Sequence, residues 1–227
     1  MGVLGLAGRG LLGVVKGLAV WLAAFAPSAF VGGVTYALIH DAFLSAVVTQ
    51  ALFAATSAVV AGLALRDLHE ILGLRTAGLS ESMVALVLGV AASCALAWTA
   101  FHIPGSEAFT QPVPGLEVGT FQQLALALAL APVGEEVLFR GLLLGYILRE
   151  SANPAVAIAT SAALFAIIHV LPYQTAPVAQ KALVLMTAAI MSAIAGYLRK
   201  RADSIVPAIA THTAFNLGPI IVALATQ

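Results

Sequence analysis

The chain has 227 residues, of which 61% are hydrophobic and only 9% charged, and its ten basic and ten acidic residues give a formal net charge of zero. Soluble domains carry about 25% charged residues, so a water-exposed surface is excluded and lipid must cover most of the molecule. The zero net charge gives no basis for nucleic-acid binding, and the single cysteine, Cys94, excludes an intrachain disulfide.

The chain starts Met-Gly, but Leu6 stands where a myristoylation signal needs Ser or Thr. No small-residue cleavage site precedes a polar mature region, so no removable signal peptide is expected. A bilayer core about 30 Å thick takes roughly 20 apolar residues per helix. Seven stretches satisfy this, near 17–39, 42–65, 82–103, 120–148, 154–172, 178–198 and 204–226. Between the second and third, RDLHEILGLR (66–75) reads as a small amphipathic segment at the interface. The connection at 102–120 contains Pro104, Pro112 and Pro114 and reads as a loop.

The fourth stretch is long enough to tilt or to begin as an interfacial helix. It opens with LALALALA (124–131), an alternation that ordinarily suggests a strand. Both letters are apolar, so no polar face alternates. A lone spanning strand would also leave its backbone unpaired in lipid, so helix is expected. No repeat is visible. The predicted fold is therefore all-α: a polytopic transmembrane helical bundle of about seven spans, forming one membrane-embedded domain over 1–227.

Cationic residues mark the inner side of a membrane protein. With the N-terminus inside, Arg9, Lys16, Arg66, Arg75, Arg149, Arg199, Lys200 and Arg201 fall in inner segments, and only Lys181 falls outside. This bias predicts a cytoplasmic N-terminus and an external C-terminus. The run at 199–201 reads as an orientation anchor.

An ionisable residue at the bilayer centre costs about 2.5–3.5 kcal/mol on insertion scales. The fourth stretch nevertheless carries Glu135, Glu136 and Arg140 in GEEVLFRG (134–141). The fifth carries His169 in FAIIH (165–169), and the seventh carries His212 and Asn216 in HTAFN (212–216). Such a cost persists only where the groups meet one another or water. Glu136 and Arg140, four apart with the acid N-terminal, stack on one helix face in the favoured order. Glu135 lies about 100° around the helix, with no such local partner. His212 and Asn216, also four apart, project together.

Taken singly, each motif has a plainer reading. Glu136–Arg140 is a structural ion pair or part of a transport relay, His169 an interhelical hydrogen bonder, and His212 with Asn216 helix glue. Together, a base-capable carboxylate, two histidines and an amide on three helices form a complete hydrolytic set. His40, His69 and His102 lie at segment ends or in a connection and are expected to play no part.

The three motifs, E-E-x-x-x-R, F-x-x-x-H and H-x-x-x-N, occur in order. With them, the chain resembles the CPBP family, which includes the CaaX prenyl endopeptidases and bacterial Abi proteins. The resemblance covers about 120–220, the C-terminal half, and LGLR (72–75) is similar to a stretch often found upstream in that family. It implies an intramembrane endopeptidase in which Glu135 activates water and His169 helps hold it. It also implies that His212 and Asn216 stabilise the oxyanion, and that Arg140 with Glu136 orients the acidic pair. Family members are often called metalloproteases, and Glu135, His169 and His212 would be the ligands of a zinc ion if one is bound. The chain lacks H-E-x-x-H, and a metal-free glutamate mechanism is the expectation preferred here. The implied partners are the bilayer and a peptide, membrane-protein or prenylated substrate, in a cell membrane of prokaryotic type. The competing classes are an ion-coupled transporter, disfavoured because the polar residues crowd into one half, and a non-catalytic immunity or scaffold member of the same fold.

Overall fold

A computed structural model describes residues 3–102, 120–151 and 153–225, so most of the connection expected at 102–120 lies outside the described residues. Eight helices follow in chain order. They are α1 (Val3–Ile39), α2 (Ala42–Val59, continued by a π turn at Val60–Ala64), α3 (Leu68–Leu72), α4 (Leu79–Phe101), α5 (121–151), α6 (Pro154–Val170), α7 (Val178–Ala202) and α8 (Val206–Ala225). No strand occurs among the described residues, and the LALALALA stretch is helical throughout. Five helices are long and apolar enough to span a bilayer, at Gly10–Ile39, Ala42–Ala64, Leu79–Ala100, Pro154–Tyr173 and Val178–Ala202. The charge-bearing α5 and the shorter apolar α8 complete the set of about seven.

The helix ends follow from local chemistry. Asp41 caps α2 by accepting from the Leu44 amide at 2.9 Å. Asn153 caps α6, accepting from the amides of Ala155 and Val156, and Pro154 occupies the first turn, where its missing N–H costs nothing. Gly73 closes α3 at φ +65°, a left-handed conformation that suits glycine.

Packing is tightest between α4 and α8. There Ser93 donates its hydroxyl to the Phe215 carbonyl, and Gly89 lets the α8 backbone approach at Thr211. A second seam joins α1 and α2 through Trp21, stacked on Phe25 at 4.5 Å, and Phe25, stacked on Phe53 at 5.5 Å. The cationic segments expected inside gather at one end of the bundle. Lys16 reaches Glu150 at 3.3 Å, Arg149 reaches Asp67 at 3.4 Å, and Arg75 pairs with Asp203.

The segment expected at the interface packs its apolar residues against the bundle. Ile71 and Leu72 of α3 are buried. Arg199 is also buried and donates to the Glu70 carbonyl at 3.2 Å, which satisfies an open end of α3. A Cβ on Gly141 of α5 would meet Leu72 and Ile205. Ile205, just before α8, is therefore level with Gly141.

This packing levels the polar residues. Glu135 stands sixteen positions before Ser151, and His169 fifteen positions after Pro154, so the short connection between α5 and α6 puts both at one height. His212 is seven positions from Ile205, and Glu135 is six from Gly141, which gives the same height from the other side.

Candidate active site

The site is built around α5, whose hydrogen bonding is irregular. It alternates α segments with π turns at Leu126–Leu130 and Val137–Leu143, on either side of the glutamates. Such turns concentrate at functional sites because they free carbonyls and rotate side chains. Pro132, just past the first turn, has no N–H to offer the carbonyls before it. Two of those carbonyls are served by α8: Asn216 Nδ2 donates to Ala127 O at 2.7 Å, and Thr213 Oγ1 donates to Leu128 O at 3.1 Å. In the second turn, Ser161 Oγ of α6 donates to Phe139 O at 3.1 Å. Polar side chains of the neighbouring helices thus supply what α5 cannot supply for itself.

Glu136 and Arg140 face the packed interior, and both side chains have no exposure. Arg140 Nη1 lies 2.8 Å from Glu136 Oε1, the four-residue pairing expected from the sequence. His212 Nδ1 donates to the same carboxylate oxygen at 2.8 Å. An ionised carboxylate only accepts, so the His212 proton sits on Nδ1 and the lone pair on Nε2. The guanidinium lies 4.3 Å over the ring of Phe165 and reaches Met191 Sδ at 3.7 Å. Arg140 is therefore neutralised by Glu136 and by an aromatic face.

Glu135 points elsewhere, with 14% of its side chain exposed. Its Oε1 accepts a hydrogen bond from Gln50 Nε2 of α2 at 3.0 Å. Its Oε2 faces two imidazoles, with His169 Nε2 at 3.6 Å and His212 Nε2 at 3.8 Å. Neither distance is a hydrogen bond. His169 donates its Nδ1 proton to the Phe165 carbonyl at 2.8 Å, which leaves its Nε2 an acceptor as well. Three acceptors lie close together, and a water molecule among them can donate to two of the three.

Phe165 organises these groups. It stacks on His169 at 4.0 Å and meets His212 edge-on at 5.7 Å, while Phe139 packs against it edge-on at 5.0 Å. The aromatic residue of the F-x-x-x-H motif therefore forms one wall of the site.

Of the residues expected from the sequence, Glu135, Glu136, Arg140, His169 and His212 form one connected cluster. Asn216 lies one turn beyond His212, its amide engaged with Ala127 O. His102 bonds the carbonyl of Trp98 in its own helix and His40 stacks edge-on with Tyr36, so both stand apart from the cluster. Gln50 was missed by sequence reasoning. The available signal was an amide in a span, Ala42–Val59, whose other polar residues are small hydroxyls.

A metal reading needs the set Glu135, His169 and His212. The fixed tautomers suit it, because metal-bound histidines usually donate their other ring proton to a carbonyl or carboxylate. No group of three His, Cys, Asp or Glu side chains is arranged to hold a metal ion among the described residues.

No curated protein and no solved structure matches the chain. Residues 117–218 match the family described as type II CAAX prenyl endopeptidase Rce1-like. That stretch contains α5 to α7 and most of α8, with all three motifs and the carboxylate–imidazole cluster they build. Through this stretch, 102 of its 227 residues, the chain is similar to the CAAX-protease-like (CPBP) family.

Proposed function

We propose that the protein is an intramembrane endopeptidase that hydrolyses a peptide bond of a membrane-associated substrate, prenylated or not, with water activated by Glu135. One observation carries this reading: Nε2 of His169 and Nε2 of His212 lie 3.6 and 3.8 Å from Oε2 of Glu135, just beyond direct bonding and within reach of a shared water. A water there donates to Glu135 Oε2 and to one imidazole, with a lone pair free for the scissile carbonyl. Glu135 takes the proton as that oxygen attacks. The proton then passes to the leaving amine, and the carboxylate is restored.

His212 and Asn216 are assigned to the oxyanion. For that role His212 Nε2 takes up a proton from solvent before the attack, the nucleophilic water then donating to His169, and the Glu136 carboxylate at Nδ1 stabilises the imidazolium. Arg140 Nη1, 2.8 Å from Glu136 Oε1, supplies the matching charge. Asn216 Nδ2 carries a second hydrogen besides the one given to Ala127 O. The N-terminus is assigned to the cytoplasm on the charge bias, so a reporter in the 199–203 turn is expected inside and one at the C-terminus outside.

The deciding experiment is cleavage of a membrane-tethered peptide library in liposomes by the wild type and by Glu135→Ala, with metal content measured on the same preparation. Cleavage by the wild type alone, without bound metal and unaffected by chelator, is expected. Stoichiometric zinc, lost together with activity on chelation, would replace the metal-free mechanism. Ion-driven uptake without proteolysis would favour a transporter, and absence of both would favour a scaffold or immunity role.

A further inference from the structure

The family match begins at residue 117, yet one of the groups touching Glu135 comes from far outside it. Gln50 stands in α2, in an apolar stretch where an amide is costly unless hydrogen-bonded. Its Nε2 donates to Glu135 Oε1 at 3.0 Å across 85 residues of sequence. The amide orientation is dictated by chemistry, because an ionised carboxylate only accepts. Gln50 Oε1 is buried with no partner among the described residues, so satisfying its own carbonyl is not what fixes this side chain.

The two helices approach closely here because Gly134 has no side chain. A Cβ at that position would lie 2.5 Å from Gln50 Oε1, 2.6 Å from its carbonyl oxygen and 2.9 Å from its Cα. The residue next to the base is thus the one that lets α2 come within reach of it. A glutamate carboxylate turns about a broad, nearly two-fold torsion, so its two oxygens exchange places unless one is held. Neither imidazole is close enough to hold Oε2 directly.

We propose that Gln50 is a positioning residue: by holding Oε1 of Glu135 it presents Oε2 to the point shared by His169 and His212. It makes α2, outside the matched region, part of the catalytic assembly. The proposal rests on the proteolytic reading for its effect on rate, but not for the bond itself.

The test compares Gln50→Met, which fills the same space without a donor, and Gln50→Asn, which keeps the donor one methylene short, in the full chain in liposomes. Two quantities are read. One is kcat and KM separately on a cleaved peptide. The other is the infrared absorption of the Glu135 carboxylate, identified as the band lost in Glu135→Gln. A charge-assisted hydrogen bond of this kind is worth about 10- to 100-fold in rate. Gln50→Met is therefore expected to lose that factor in kcat at unchanged KM and melting temperature, with Gln50→Asn intermediate and the band displaced in both. An undisplaced band, or a loss confined to KM or to melting temperature, overturns the proposal. Should Gln50→Met fail to fold, Gln50→Asn is read by the same criteria. The infrared measurement needs no substrate, so a chain that cleaves nothing refutes the proteolytic reading while the Gln50–Glu135 bond is still judged.

Discussion

Glu135 and Glu136 are neighbours in the chain, but α5 turns them into two regions that differ in packing and in charge. On the Glu136 side, the carboxylate, Arg140, His212 and the Phe165 ring are packed together, and neither member of the ion pair is exposed. On the Glu135 side, the carboxylate is partly open, and the His169 side chain beside it is 34% exposed. Its contacts there are an amide at one oxygen and two imidazoles just beyond bonding distance at the other. A buried, matched charge cluster holds a shape, whereas an accessible carboxylate with unspent acceptors around it is available to water. The same residue type meets two environments because a step of about 100° around the helix changes its neighbours.

The comparison breaks first at Glu135. Glu135→Gln keeps the size and reach of the side chain but cannot accept a proton. Loss of a general base costs about 10²–10⁴-fold in rate, and melting temperature should hold, since a desolvated negative charge has been removed. The measurement is cleavage rate beside a thermal melt, and activity equal to the wild type would remove Glu135 from the role of base.

Glu136→Gln should instead appear in stability. It takes the charge partner from Arg140 and the acceptor from His212 Nδ1 at once. Removing one member of a buried pair costs about 3–5 kcal/mol. A marked fall in melting temperature and expression is expected along with lost activity, and a stable but inactive variant would instead place Glu136 in the chemistry itself.

A smaller effect sharpens the account of α5. Asn216→Ala leaves the Ala127 carbonyl short of its donor, at a cost of about 1–3 kcal/mol. Pro132→Ala returns a backbone N–H to that stretch, so the cost of Asn216→Ala should shrink in the Pro132→Ala background. A double-mutant cycle measures this coupling directly. Additive effects would mean that Asn216 does not act through the carbonyl that the proline leaves without a donor.

The sequence by itself determined the helical class, because a chain this apolar must satisfy its backbone within helices. It also determined what lies within one helix. The Glu136–Arg140 pair is a four-residue relation, and the structure contains it. The residues that would share a site were recognisable because ionisable groups in lipid must find one another.

Only the tertiary structure decided how they meet. Glu135 lacked a local partner in the sequence, and its three neighbours come from α2, α6 and α8. The Gln50–Glu135 and Glu136–His212 contacts join residues 85 and 76 positions apart. Such contacts depend on the depth and rotation of whole helices. Depth was set by features that composition does not reveal: the short connection between α5 and α6, and the packing of Leu72 and Ile205 against Gly141. Rotation was set by the π turns flanking the glutamates and by the side chains of α6 and α8 that bond their freed carbonyls. A periodic pattern shows which residues share a helix face, but the neighbour that face meets is fixed only when the helices pack.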